Sequence, residues 1–125
     1  MEKLVIQQEL KNCPGIIYYP GNNTLEISGR SIPENPELIF RKLDEWISSH
    51  FDKKPDLSVS IRLEYINSGS SKYLYEILKK LTAFGNSGKK VMIRWLYEED
   101  DEAMLELGEH YRDTAGIPLI IDMIV

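Results

Sequence analysis

The chain has 125 residues and a mass of 14.5 kDa, the size of one domain. Cys13 is its only cysteine, which excludes an internal disulfide, and no set of Cys and His has zinc-ligand spacing. No apolar run approaches the ~18 residues of a membrane-spanning helix. The N-terminal sequence lacks the apolar core of a signal peptide. We therefore expect one cytoplasmic domain over residues 1–125, without direct membrane insertion.

The charge is unevenly distributed. There are 15 Lys and Arg against 20 Asp and Glu, a net charge of −5. Residues 98–109, called the acidic segment below, hold seven acidic residues and no Lys or Arg, so they carry −7. An acidic segment repels phosphates, and no basic stripe compensates for it. Nucleic acid is therefore not an expected partner.

Three short strands are predicted at the start of the chain. Apolar or alternating residues indicate strands at Leu4–Ile6, Ile16–Tyr19 and Thr24–Ser28. Pro20–Asn23 has the residues of a hairpin turn between the second and third. A helix over about residues 37–51 should follow, opened by Pro33–Pro36. Its buried face is given by the helical spacing of Ile39, Leu43, Trp46 and Ile47.

The rest of the chain alternates between strands and helices. Leu57–Ile66 alternates as a long strand, with Leu57, Val59, Ile61, Leu63 and Tyr65 on one side. Helical spacing of apolar residues predicts a helix over about 70–85, ended by Gly85–Gly88. Val91–Trp95 is the next strand. The acidic segment leads into a third helix with Met104, Leu107, Gly108 and Tyr111 on one face, and Leu119–Val125 is the last strand.

The predicted order is βββαβαβαβ, which is typical of an α/β fold. Alternating strands and helices favour parallel pairing, with the N-terminal hairpin as an antiparallel extension of a mixed sheet. The fold class by itself gives no function.

Catalytic motifs are absent from the sequence. His50 and His110 have no Cys or second His near them, and no G-x-S-x-G, P-loop or G-x-G-x-x-G is present. The acidic run 98–102 lacks the loop that wraps calcium. Acidic residues at a helix start complement the helix dipole, so a solvated face and a protein-docking surface both remain open here. We expect no metal and no cofactor.

Residues 64–72 join a predicted strand to a predicted helix. Asn or Ser at this position can cap free backbone N–H groups. The same helix end also favours an added phosphate of about −1.5 to −2 charges. Three serines and Asn67 within five positions exceed what one cap needs, so a phosphorylation switch is the second interpretation.

Three blocks of sequence resemble the SiaC family of regulatory phosphoproteins. They are GRSIPEN at 29–35, LEYINSGSSK at 63–72 and WLYEEDDEAMLELGE at 95–109. The resemblance implies a STAS-like fold and a non-enzymatic protein of a bacterial partner-switching module. It implies three partners: a cognate Ser/Thr-type kinase, a metal-dependent Ser/Thr phosphatase, and a diguanylate cyclase that the unphosphorylated form binds and activates in cyclic-di-GMP signalling.

The resemblance also implies the site residues. The family's phosphorylated hydroxyl follows an Asn, which makes Ser68 the acceptor, with Ser70 and Ser71 as alternates. Gly69 stands where a serine is common, and Ile32 replaces an aromatic residue. The phosphosite loop includes Asn67, Gly69 and Lys72. Candidates for partner binding are Arg30, Ser31, Pro33, Glu34, Glu98, Glu99, Asp100, Asp101 and Glu102.

Two other functional classes fit the same residues. A STAS-type anti-sigma factor antagonist, or another protein-binding module, would use the same acceptor without a cyclase. A small enzyme using the carboxylates and a metal is the third possibility.

Overall fold

The computed structural model describes residues 2–124. The strands are β1 (Leu4–Gln7), β2 (Gly15–Tyr19), β3 (Thr24–Ser31), β4 (Asp56–Ile66), β5 (Lys90–Glu98) and β6 (Leu119–Ile124). The helices are α1 (Pro36–Lys53), α2 (Ser68–Asn86) and α3 (Glu102–Asp113). The predicted order of nine elements is confirmed.

The strands form one mixed six-stranded sheet in the order β1-β2-β3-β4-β5-β6. β1, β2 and β3 pair antiparallel, whereas β3, β4, β5 and β6 pair parallel. Each parallel pair is connected through one helix, as crossover connections require. The α/β class with an antiparallel N-terminal hairpin is therefore confirmed.

The core lies between the helices and one face of the sheet. On β4 the buried residues alternate with polar ones, so Leu57 and Val59 face the helices while Ser58 and Ser60 face away. Burying one such side chain contributes about 1.5–3 kcal/mol. The helices add the buried residues Ile39, Leu43, Ile47, Leu74, Ile77, Leu78 and Leu81.

The structure differs from the sequence predictions near the carboxyl ends of strands. β3 continues to Ser31 rather than ending at Ser28. α2 begins at Ser68 rather than near residue 70, because Asn67 caps it. β5 continues to Glu98, since β6 pairs with it up to Ile124. Tyr65 continues the alternation of β4 but is 50% exposed, beyond a register shift in the β3–β4 ladder. Val125, the predicted end of β6, lies outside the described residues.

In residues 2–124, no helix has the length and apolar character needed to cross a bilayer.

Candidate phosphorylation site and docking surface

The three blocks that carry the family resemblance meet at one edge of the sheet. β3, β4 and β5 are parallel neighbours, so their carboxyl ends lie side by side. The blocks lie at or across these ends: 29–35, 63–72 and 95–109. The backbone N–H of Asn67 donates to the carbonyl of Ser31 at 3.1 Å and ties the first two together. Residues distant in sequence therefore form one continuous surface.

Residues 67–71, called the Ser68 turn below, begin α2. The side-chain oxygen of Asn67 accepts from the backbone N–H of Ser70 at 2.8 Å, and its carbonyl accepts from Ser71 at 2.9 Å. Ser68 is the first helical residue and its side chain is exposed. The first turn of α2 contains no acidic residue, so the positive end of the helix dipole is uncompensated there.

The three serines of the Ser68 turn have different environments. Ser70 is 0% exposed, and its hydroxyl has no hydrogen-bond partner among the described residues. The Ser71 hydroxyl lies 2.7 Å from the hydroxyl of Tyr111. Of the three, Ser68 alone is exposed. At Gly69 a Cβ would meet only the Asn67 side-chain oxygen, at 3.7 Å, so a serine would fit there without strain.

The first block supplies a cation next to Tyr65 at the end of β4. Arg30 pairs with Tyr65 across the β3–β4 ladder, and its guanidinium carbon lies 5.8 Å from the centre of the tyrosine ring. This geometry allows a cation–π contact. Glu34 is exposed and Pro33 half-buried, whereas Ser31 is 1% exposed. The Ser31 side chain therefore lies beneath the surface that its neighbours form.

Lys72 is exposed and follows Ser68 by four residues on α2. Residues four apart lie on the same helix face, and the order acid then base is the favourable one. A phosphate on Ser68 would therefore have a lysine within one turn.

The acidic residues of the acidic segment have different structural roles. The side chain of Asp101 caps α3, accepting from the backbone N–H of Met104 at 3.0 Å. A carboxylate oxygen of Glu98 lies 3.8 Å from a guanidinium nitrogen of Arg62. This ion pair is exposed and contributes little to folding stability. Glu99, Asp100 and Glu102 are exposed. In the part of the chain that the structure describes, no three His, Cys, Asp or Glu side chains converge as metal ligands would.

A buried network links α3 to the Ser68 turn. The indole N–H of Trp95 donates to the Met104 carbonyl at 2.9 Å, and the Tyr111 ring packs edge-on against the indole. The Tyr111 hydroxyl donates to the Ser71 carbonyl at 3.0 Å. Because that uses its one proton, the Ser71 hydroxyl donates to the Tyr111 oxygen. Burial raises the pKa of Tyr111, and the Ser71 hydrogen bond partly opposes this.

Sequence reasoning did not find this network. Helical spacing predicts the buried face of the third helix that includes Tyr111, but nothing local pairs this residue with Ser71, 40 residues away. The one available signal was Gly108 in a helix interior, where glycine is costly without a packing reason.

Comparisons with known proteins bear on the family and the fold. A family model described as SiaC family regulatory phosphoprotein matches residues 7–123. An uncharacterized protein of Pseudomonas aeruginosa strain UCBPP-PA14 is 32% identical over 98 residues, covering 78% of this chain and 78% of that protein.

Two solved structures share the fold. SiaC of Pseudomonas aeruginosa gives a TM-score of 0.85 at 27% identity, covering 99% of this chain and 100% of that chain. The matching chain in the crystal structure of the diguanylate cyclase SiaD in complex with its activator SiaC gives 0.84 at 27% identity, over 93% and 96% of the two chains. Because the family model spans nearly the whole sequence, the chain belongs to the SiaC family of regulatory phosphoproteins.

Proposed function

We propose that this chain is a non-enzymatic cytoplasmic switch protein in which phosphorylation of Ser68 controls binding to, and activation of, a diguanylate cyclase. One observation carries the choice of residue. Ser68 is exposed at the start of α2, while Ser70 is buried and the Ser71 hydroxyl is bonded to Tyr111. A kinase can therefore reach Ser68 without unfolding the turn.

Family membership and the similar structures support a diguanylate cyclase as the partner. SiaC of Pseudomonas aeruginosa is described as the activator of SiaD, and the chain in that complex superposes on this one. A cognate Ser/Thr-type kinase and a metal-dependent Ser/Thr phosphatase complete the proposed module. The proposed docking surface is the sheet edge around Ser68. It includes the exposed Arg30 and Glu34, the half-buried Pro33 and the acidic segment.

The unphosphorylated form is the proposed binding form. A phosphate brings about −1.5 to −2 charges, and a docked partner covering Ser68 would have to bury them. An unpaired buried charge is strongly unfavourable, and a loss of about 3 kcal/mol corresponds to roughly 150-fold weaker binding. The fold need not change, because a helix N-terminus accepts an anion.

The first experiment locates the acceptor. The protein is incubated with its cognate kinase, and the phosphate is mapped by mass spectrometry in the parent and in Ser68→Ala. We expect one phosphate on Ser68 and none in the variant. Equal labelling of Ser68→Ala would refute the assignment, and label on Ser70 or Ser71 would name the true acceptor.

The second experiment tests the direction of the switch. Ser68→Asp should bind the cyclase much more weakly than the parent, while Ser68→Ala binds about as well. Ser49→Asp, at an exposed serine of α1, is the matched charge control and should bind normally. Recovery of an anti-sigma factor instead of a cyclase in a pull-down would favour the alternative partner class. Tighter binding by the phosphorylated protein would reverse the proposed direction.

A further inference from the structure

We propose that Tyr111 is a positioning residue that transmits the phosphorylation state of Ser68 from α2 to α3. This inference rests on the proposed phosphorylation of Ser68 and adds a route by which the modification is sensed away from the acceptor. It predicts that α3, with the acidic segment at its start, responds to a phosphate on a residue more than 30 positions earlier in the chain.

The contact between the helices is a paired hydrogen bond. Tyr111 donates to the Ser71 carbonyl at 3.0 Å, and the Ser71 hydroxyl lies 2.7 Å from the tyrosine oxygen. Both bonds join α3 to one residue of the Ser68 turn. A displacement of Ser71 therefore changes both bonds at once.

On the α3 side the contact is continued by rigid packing. Trp95 is fully buried, touches Tyr111 edge-on with ring centres 5.6 Å apart, and donates to the Met104 carbonyl in α3. Gly108 lies directly against the indole, since a Cβ there would come within 2.5 Å of the ring. Packed interiors transmit small displacements because they have little free volume. A displacement of the Tyr111 ring therefore shifts the indole of Trp95.

On the α2 side, a phosphate on Ser68 would compete with Asn67 for the backbone N–H groups of the Ser68 turn. Asn67 accepts from the Ser70 N–H at 2.8 Å, and a phosphate on Ser68 would place a stronger acceptor at the same helix end. Within residues 2–124 the buried Ser70 hydroxyl has no hydrogen-bond partner, so a shift of the turn that gives it one is favourable. Competition for the cap displaces the turn, and Ser71 with it.

Trp95 provides the readout. The chain has two tryptophans, and Trp46 lies on α1 against Tyr18 and His50. In a Trp46→Phe background the single indole N–H signal in a ¹⁵N-resolved NMR spectrum belongs to Trp95 and reports its bond to Met104. The spectrum is recorded before and after phosphorylation, with the phosphate on Ser68 verified by mass.

Two variants separate transmission from general stability. Tyr111→Phe keeps the ring packing and removes the hydroxyl, so phosphorylation should no longer move the Trp95 signal. Tyr75→Phe removes a phenolic hydroxyl from the ring stacked on Tyr111, at 6.1 Å between centres, and should leave the shift intact.

The Trp95 signal distinguishes transmission through Tyr111 from its absence. A Trp95 shift in the parent that is lost in Tyr111→Phe supports the inference. An equal shift in both, or no shift in a parent shown by mass to carry the phosphate, overturns it and leaves the proposed acceptor standing. If Ser68 takes no phosphate, the proposed function fails first, and this inference fails with it.

Discussion

Replacing Gly108 with alanine tests the packing of α3 on the sheet. Alanine is the better helix former by up to ~1 kcal/mol, so propensity alone predicts a more stable protein. The structure predicts the opposite. The added Cβ would lie 2.5 Å from one indole carbon of Trp95 and 2.6 Å from the indole nitrogen.

The expected loss of stability depends on how far the Trp95 indole can move. Trp95 is 0% exposed and its N–H is bonded to the Met104 carbonyl, so α3 must move away from the sheet. Overpacking of this kind costs about 1–3 kcal/mol, occasionally more, and exceeds the gain in propensity. At roughly 3–5 °C per kcal/mol for a chain of this length, we expect Gly108→Ala to melt several degrees below the parent.

The matched control is Gly85→Ala. Gly85 also lies in a helix, but a Cβ there meets nothing within 4 Å, so the substitution should raise the melting temperature slightly. Thermal unfolding followed by circular dichroism compares both variants with the parent. A Gly108→Ala protein that melts at or above the parent temperature would refute the packing described for Trp95.

Three further predictions concern stability. Leu78→Ala, at a fully buried site, should lower the unfolding free energy in urea by about 2–5 kcal/mol, while Leu38→Ala, 51% exposed, should change it by less than about 0.5. Because the raised pKa of Tyr111 makes the unfolded chain lose that proton first, stability should fall as pH rises above about 10, and Tyr111→Phe should show a smaller fall over the same range in urea titrations. Asp101→Ala should cost about 1 kcal/mol as a lost helix cap and Asp100→Ala much less, with no rise in either melting temperature on adding calcium.

Local pattern predicted most of the fold. The spacing of Leu74, Ile77, Leu78 and Leu81 locates the buried face of α2, because the residues that share a helix face are close in sequence. The boundaries were less predictable. Ser68 belongs to α2 because Asn67 reaches forward to Ser70, and propensity scarcely distinguishes Asn67 from Ser70 as the cap.

The candidate site was predictable in outline and not in detail. The motif indicates Ser68, but what distinguishes it from Ser70 and Ser71 is the burial of the first and the Tyr111 contact of the second. Ser70 is covered although its residue type is mostly exposed. Ser71 is engaged by Tyr111 across 40 residues, a contact with no local sequence signal.

The charge around Ser68 limits which partners a phosphate on this residue would release. The acidic segment carries −7 and begins at the same edge of the sheet, so a strongly basic partner would be attracted there before modification and more strongly after it. A partner that phosphorylation releases must instead cover Ser68 with apolar or acidic groups. Tyr65 and Tyr73, on either side of Ser68 in the sequence, are 50% and 38% exposed, and aromatic side chains of this kind are the usual anchors of such contacts. The inhibitory switch therefore requires an apolar or acidic contact at Ser68 itself, and the exposed tyrosines favour the apolar one, with the acidic segment at the rim.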